Sequence, residues 1–125
     1  MTDAPPNRVP VAVRSVTILA DDLIWSTRLA DAVRAAGAQP KVVRSLDGLA
    51  GSSAEAVIVD LTARAYDGVA AVGLAKAAGA RVVAVGQHDD AALRKAALDA
   101  GAARVYTYRA LFEDGPRLLG RWLGA

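Results

Sequence analysis

Cysteine is absent from this chain and histidine occurs once, at position 88. Disulfides, thiolate metal sites and histidine-rich metal centres are therefore excluded. Aromatic residues make up only 5% of the sequence, and its arginines, among them Arg28, Arg34, Arg44, Arg81 and Arg94, stand mostly alone despite a formal net charge of +2. A nucleic-acid surface concentrates its cations, so no nucleic-acid partner is expected. The longest apolar stretch, Val69 to Ala75, falls far short of the roughly 20 residues of a membrane span. The opening residues Met1 to Arg8 hold an acid and two prolines where a signal peptide needs basic and then apolar residues. No Gly-x-Gly-x-x-Gly follows the first apolar run and no glycine-rich loop ends in Gly-Lys-Ser or Gly-Lys-Thr, which removes the usual phosphate cradles. No serine is flanked as in a nucleophile elbow.

What remains is a chain of 125 residues, 54% of them hydrophobic, enough for one domain with its own core. Three stretches run from an alanine-rich helical segment through Ala-Gly-Ala into a β-branched run: around Gly37 to Val42-Val43, around Gly79 to Val82–Val85, and around Gly101 to Val105-Tyr106. A glycine there can end a helix in a left-handed conformation, and the run after it prefers an extended backbone. Helices therefore alternate with strands. Strands are expected near Ser15 to Ala20, Lys41 to Arg44, Ala56 to Asp60, Arg81 to Val85 and Arg104 to Thr107. Helices are expected near Ile24 to Ala36, Val69 to Ala78, Asp90 to Ala100 and Pro116 to Leu123. Between the second and third strands, Ser45 to Ser53 has room for one or two helical turns only. The third and fourth strands are continuously apolar, which predicts a parallel sheet covered on both faces. Residues 1–13, with three prolines, read as a flexible lead-in, and residues 14–125 as the domain. Gly73 within the third helix reads as a point of close packing.

Acidic residues follow two of the strands: Asp21-Asp22 after the first, and Asp60, then Asp67-Gly68, after the third. If these strands are neighbours, the carboxylates meet at the carboxyl end of the sheet, where doubly wound folds place their sites. Asp22, Asp67 and Asp89 or Asp90 also stand where helix N-caps are expected. Asp60 is harder to explain structurally, because an acid directly after Val-Ile-Val is costly unless exposed, paired or liganding.

The ordered set of Ile18-Leu-Ala-Asp21-Asp22, Val57-Ile-Val-Asp60, the interval to Asp67-Gly68, Ala84-Val85-Gly86 and Ala100-Gly101-Ala102 resembles the receiver domain of bacterial two-component response regulators. The resemblance covers roughly residues 16–123. It implies a CheY-like, flavodoxin-like sheet of order 2-1-3-4-5, a cytoplasmic location in bacteria, and a phosphorelay role. It also implies Asp60 as phospho-acceptor and a magnesium ion held by Asp21, Asp22 and Asp60. Magnesium takes hard oxygen ligands, as these are, and a carboxylate can attack phosphorus to form an acyl phosphate.

The departures from the family pattern are as informative. Gly86 stands where the family has Thr or Ser. Counted from Ala100-Gly101-Ala102 without a gap, the family lysine falls on Tyr108; with one inserted residue it falls on Arg109, and both registers stay open. Leu61-Thr-Ala-Arg64 lacks the proline expected after the acceptor. The chain is accordingly expected to be a degenerate receiver acting mainly as a protein–protein interaction module, with an incomplete phospho-acceptor site and no enzymatic activity beyond self-phosphorylation and self-dephosphorylation. By resemblance, its contact face is helix four, strand five and helix five, including Leu93, Tyr106, Tyr108 and Arg117, used toward a signalling protein or a second copy. The alternatives are a working single-domain response regulator phosphorylated on Asp60 with magnesium, and a small-ligand or nucleotide-binding α/β domain.

Overall fold

The computed structural model describes residues 15–124, so the expected lead-in and the outer bounds of the domain lie outside the described residues. Five strands, β1 (Ser15–Leu19), β2 (Gln39–Val43), β3 (Ala56–Asp60), β4 (Arg81–Gly86) and β5 (Val105–Thr107), alternate with five helices, α1 (Leu23–Ala35), α2 (Leu46–Ala50), α3 (Gly68–Ala77), α4 (Ala91–Ala100) and α5 (Tyr108–Gly124). All strands are parallel, in the order β2-β1-β3-β4-β5. This is the expected doubly wound architecture, including the shortened second helix.

The three Ala-Gly-Ala segments share one physical device. Gly37, Gly79 and Gly101 have φ of 95°, 92° and 125°, and the alanine after each donates its amide back to the helix, to Val33, Ala75 and Ala97, at 3.1 Å every time. That bond satisfies an otherwise orphaned carbonyl in the last helical turn, as in a Schellman motif. Each of these alanines is also buried, so the turn that ends the helix delivers the next strand to the core. At the other ends, Asp22, Asp67 and Asp90 accept from the first-turn amides of α1, α3 and α4. Asp90 rather than Asp89 is thus the cap of α4.

Side chains of the central strands alternate between two cores. Val16, Ile18, Ile58, Val83 and Val85 pack with Leu29, Val33, Leu119, Trp122 and Leu123 of α1 and α5. Leu19, Val57, Val59, Val82 and Ala84 pack with Leu49, Val72, Ala75 and Ala97 of α2, α3 and α4. β3 is buried along its whole length, as a strand covered on both sides must be.

Three expectations need correction. β2 begins at Gln39, not Lys41, and contains Pro40; it is one of the two edge strands, where a residue without an N–H is tolerated. α5 begins at Tyr108 rather than Pro116. Its axis breaks at Asp114 (φ −149°, ψ 30°) because Pro116 would collide with the carbonyl of residue 112 in a continuous helix. Gly73 is not a close contact, since a Cβ there would meet nothing within 4 Å.

Gly68 is the close contact instead. A Cβ at this position would stand 2.8 Å from Leu61 Cα and 3.1 Å from the Leu61 carbonyl oxygen, so only glycine lets the start of α3 press against the loop leaving β3. Gly68→Ala is expected to destabilise the fold by about 1 to 3 kcal/mol, the usual cost of forced overpacking. Urea unfolding measures this, and an unchanged midpoint would show that the contact relaxes freely.

Candidate functional site

β1 and β3 lie side by side with Leu19 opposite Val59, so the residues leaving both strands emerge at the same end of the sheet. Asp21, Asp22 and Asp60 line one pocket of about 560 Å³ there, together with Trp25, Thr62, Arg64, Gln87 and Tyr108. The expected convergence of acids is therefore a feature of the fold.

Asp60 is only 2% exposed. Its Oδ1 accepts from the Thr62 amide at 3.1 Å and the Thr62 hydroxyl at 3.2 Å. The Tyr108 hydroxyl donates to the same oxygen, and the Thr62 and Tyr108 hydroxyls also touch each other. Oδ2 accepts no hydrogen bond among the described residues. Tyr108 reaches the acid from the first turn of α5, and its ring packs on Trp25 with centroids 4.7 Å apart and planes tilted by 47°, a favourable aromatic arrangement. Burial pushes the Tyr108 phenol well above its ordinary value, the hydrogen bond to Asp60 adds to this, and Thr62 works against it. Tyr108 is thus a neutral donor throughout the physiological range.

Two further acids have backbone work. Asp21 Oδ2 accepts from the amides of Arg64 and Ala65, at 3.2 Å each, which ties the loop after β3 to the end of β1. Asp22 Oδ1 caps α1 through Ile24 and Trp25 at 2.8 and 3.1 Å. The Tyr66 hydroxyl lies between the Leu19 and Asp60 carbonyls, 2.9 and 2.8 Å away, and can donate its proton to either. It clasps the two strand ends, and burial followed by the Asp60 and Asp21 charges pushes its pKa far upward, so that it keeps its proton.

The remaining candidates separate. Gly86 closes β4 opposite Thr107 and supplies no side-chain donor. Arg109 is turned away from the pocket and pairs with Glu113 at 3.3 Å, so of the two residues considered for the lysine position it is Tyr108 that touches Asp60. Leu93 and Tyr106 are partly buried against the cores, Arg117 is exposed and pairs with Asp114, and Tyr108 faces the acids. Sequence reasoning missed Thr62, Tyr66 and Trp25 as site residues. Thr62 had a legible signal, since an aspartate commonly accepts from the amide two residues on; Tyr66 and Trp25 had none.

The donor chemistry suits magnesium in kind, because one oxygen each of Asp21, Asp22 and Asp60 accepts no hydrogen bond among the described residues. Their positions are less collected: among the described residues, no three acidic groups form a ready-made metal cluster.

A parallel sheet of this order with acids at the carboxyl ends of β1 and β3 is the arrangement of receiver domains. Similar solved structures include the receiver domain of a sensor histidine kinase from Pseudomonas aeruginosa PAO1, with a magnesium ion coordinated in its active-site cleft (18% identity over 90% of this chain and 99% of that one, TM-score 0.73). They also include the BeF3-activated DrrB receiver domain (14%, 90% and 99%, TM-score 0.76) and a response-regulator receiver domain from Rhodospirillum rubrum (23%, 86% and 92%, TM-score 0.70). No protein-family model matches the sequence, and no curated protein matches it. The chain has the receiver fold. No helix among the described residues is long and apolar enough to cross a membrane.

Two predictions follow from the Asp60 environment. A double-mutant cycle with Asp60→Asn and Tyr108→Phe is expected to give a coupling energy of about 1 to 2 kcal/mol, toward the lower end for a hydrogen bond to a charged group because Tyr108 is part-exposed. Additivity within roughly 0.3 kcal/mol would mean that the pair does not interact. For pH, the unfolded tyrosines ionise near about 10, while Tyr66 and Tyr108 hold their protons to higher pH in the fold. Below that point they add no pH dependence; above it the folded state binds more protons than the unfolded one, so stability falls as pH rises. Urea unfolding from about pH 8 to 11 should show this loss, reduced in Tyr66→Phe and in Tyr108→Phe. A slope unchanged in both variants would contradict the buried phenols.

Proposed function

We propose that this chain is a receiver-like interaction module of the bacterial cytoplasm whose phospho-acceptor site is incomplete, and that it passes its signal by binding a signalling protein or a second copy. The observation that carries this reading is the Tyr108 hydroxyl on Asp60 Oδ1. Where the receiver pattern has a cationic lysine, this chain has a neutral phenol that occupies the acceptor oxygen and brings no charge to a phosphoryl group. Gly86 removes a second donor. Hydrogen bonds to charged groups are worth about 1.5 to 3 kcal/mol each, so each missing donor weakens capture of the phosphoryl group tenfold or more.

Asp21, Asp22 and Asp60 are the residues that would hold a magnesium ion, which when bound neutralises the repulsion between carboxylates and an incoming phosphate. Thr62, by contrast, is held to Asp60 through both its amide and its hydroxyl, and so fixes the orientation of the carboxylate. The docking face proposed is that of α4, β5 and α5, with Leu93, Tyr106 and Arg117 on it and Tyr108 at its junction with the acid pocket. Exposed apolar side chains support association: Leu98 on α4 is 40% exposed and Phe112 on α5 is 63% exposed. The Arg28 guanidinium lies 4.4 Å from the Phe112 ring centroid, which extends this surface toward α1.

The test restores what is missing. A Cβ at Gly86 would meet only Leu61 side-chain atoms, the nearest at 3.4 Å, so the backbone accepts a side chain there. Incubated with acetyl phosphate and magnesium and read by intact mass, the wild type is expected to carry at least tenfold less phosphate than a Gly86→Ser, Tyr108→Lys variant. A stoichiometric adduct on the wild type that Asp60→Asn abolishes would show the site to be complete and overturn the reading.

A further inference from the structure

A second hollow, of about 510 Å³, opens at the opposite end of the sheet. Four cations line it: Arg81 at the first residue of β4, Arg104 just before β5, Lys76 near the end of α3 and Arg121 near the end of α5, with the rings of Tyr106 and Trp122 between them. No acidic residue lines it among the described residues. Lys76 and Arg121 have one structural explanation, because cations are favourable in the last turn of a helix. Arg81 and Arg104 do not share it; they come from the amino ends of strands, yet meet the other two around the same aromatic walls.

The hollow is built, not incidental. Arg81 donates through Nη2 to the Trp122 carbonyl, and its Cζ lies 5.9 Å from the Trp122 ring centroid, so the guanidinium is held in place. The Lys76 stem crosses Gly101 so closely that a Cβ there would stand 2.6 Å from Lys76 Cγ. Glycine at this position, with φ of 125°, therefore both ends α4 and makes room for the lysine. Burial pushes the pKa of the Tyr106 phenol up while the charges of Arg104 and Arg121 pull it down, which places both arginines within electrostatic reach of its hydroxyl. No carboxylate forms a salt bridge with Lys76, Arg81, Arg104 or Arg121 among the described residues.

We infer that this hollow is a binding site for a small phosphorylated ligand with a flat ring, of the mononucleotide class: the four cations take the phosphate and the partly buried Tyr106, with the edge of the buried Trp122 beside it, meets the base. Its volume falls within the range of small-molecule sites, about 300 to 1,000 Å³, which combine apolar walls with a few placed polar groups. Guanidinium groups suit phosphate through paired donors. The site lies at the amino ends of the strands, away from the carboxyl-end position that doubly wound folds generally use, and it does not depend on the state of Asp60.

Isothermal titration of the full chain with AMP, adenosine and inorganic phosphate tests the inference. AMP is expected to bind one-to-one and saturably, more weakly as salt is raised, and at least tenfold more tightly than either adenosine or phosphate. Arg104→Gln and Arg121→Gln alter exposed side chains and should each weaken AMP at least fivefold. Arg34→Gln, which makes the same charge change on α1, should leave it within twofold. The inference is overturned if AMP does not saturate, if phosphate or adenosine alone matches it, or if Arg34→Gln weakens it as much as the pocket variants do. Tighter binding of a single-stranded oligonucleotide than of AMP at equal salt would make this a nucleic-acid surface and overturn it as well.

Discussion

The carboxyl end of this sheet is organised around the solvation of one buried carboxylate. Removing an ion from water costs several kcal/mol unless the surroundings replace the lost hydrogen bonds. For Asp60 the replacements are the Thr62 amide, the Thr62 hydroxyl and the Tyr108 hydroxyl, all on Oδ1. Two are local and come with the turn that follows β3. The third arrives from α5, so Oδ1 has all three of its donors only when β5 has paired with β4 and α5 has docked. Trp25 packs on Tyr108, which brings α1 into the same arrangement. A single carboxylate thereby links the central strand to the two helices on one face.

The neighbouring acids show how one residue type serves two purposes. A carboxylate has two oxygens, and Asp21 and Asp22 each commit one to backbone amides, either stapling the loop after β3 or capping α1. The committed oxygens make the pocket rigid; the others keep it acidic. Tyr66 completes the frame by joining the ends of β1 and β3 through their carbonyls. A residue that reads as a cap and a residue that reads as a metal ligand can therefore be the same aspartate.

Much of the architecture was legible because it is local. The recurring Ala-Gly-Ala announces helix ends with a backbone requirement that glycine meets, and the apolar runs of β3 and β4 announce burial on both faces. The order of strands is not local, and entered only through the resemblance of the whole acidic set. The first half of α5 escaped notice because Tyr106-Thr107-Tyr108 is β-branched and aromatic, which favours an extended chain, while Pro116 offers a persuasive helix start eight residues too late. The same stretch hid the site. Tyr108 and Arg109 differ by one residue, and choosing between them needs the pairing of Tyr106 with Val85 and Thr107 with Gly86, a tertiary fact. Tyr66 and Trp25 could not be told from core aromatics, since their roles rest on what their polar atoms and ring faces meet across the fold.

The two ends of the molecule carry opposite charge, and α5 reaches both. Its first turn delivers Tyr108 to the acids, and its last turns deliver Arg121 and Trp122 to the cations. A continuous helix of its 17 residues would span about 25 Å at 1.5 Å per residue, comparable to the thickness of a small domain. The break at Asp114 means that this span is not one rigid rod. Leu111 before the break and Leu119, Trp122 and Leu123 after it are all buried in the same core, so each half is anchored on its own. That arrangement lets the acidic end depend on Tyr108 and the cationic end on Trp122 without either geometry dictating the other, while both rest on the face of the sheet that α1 also covers.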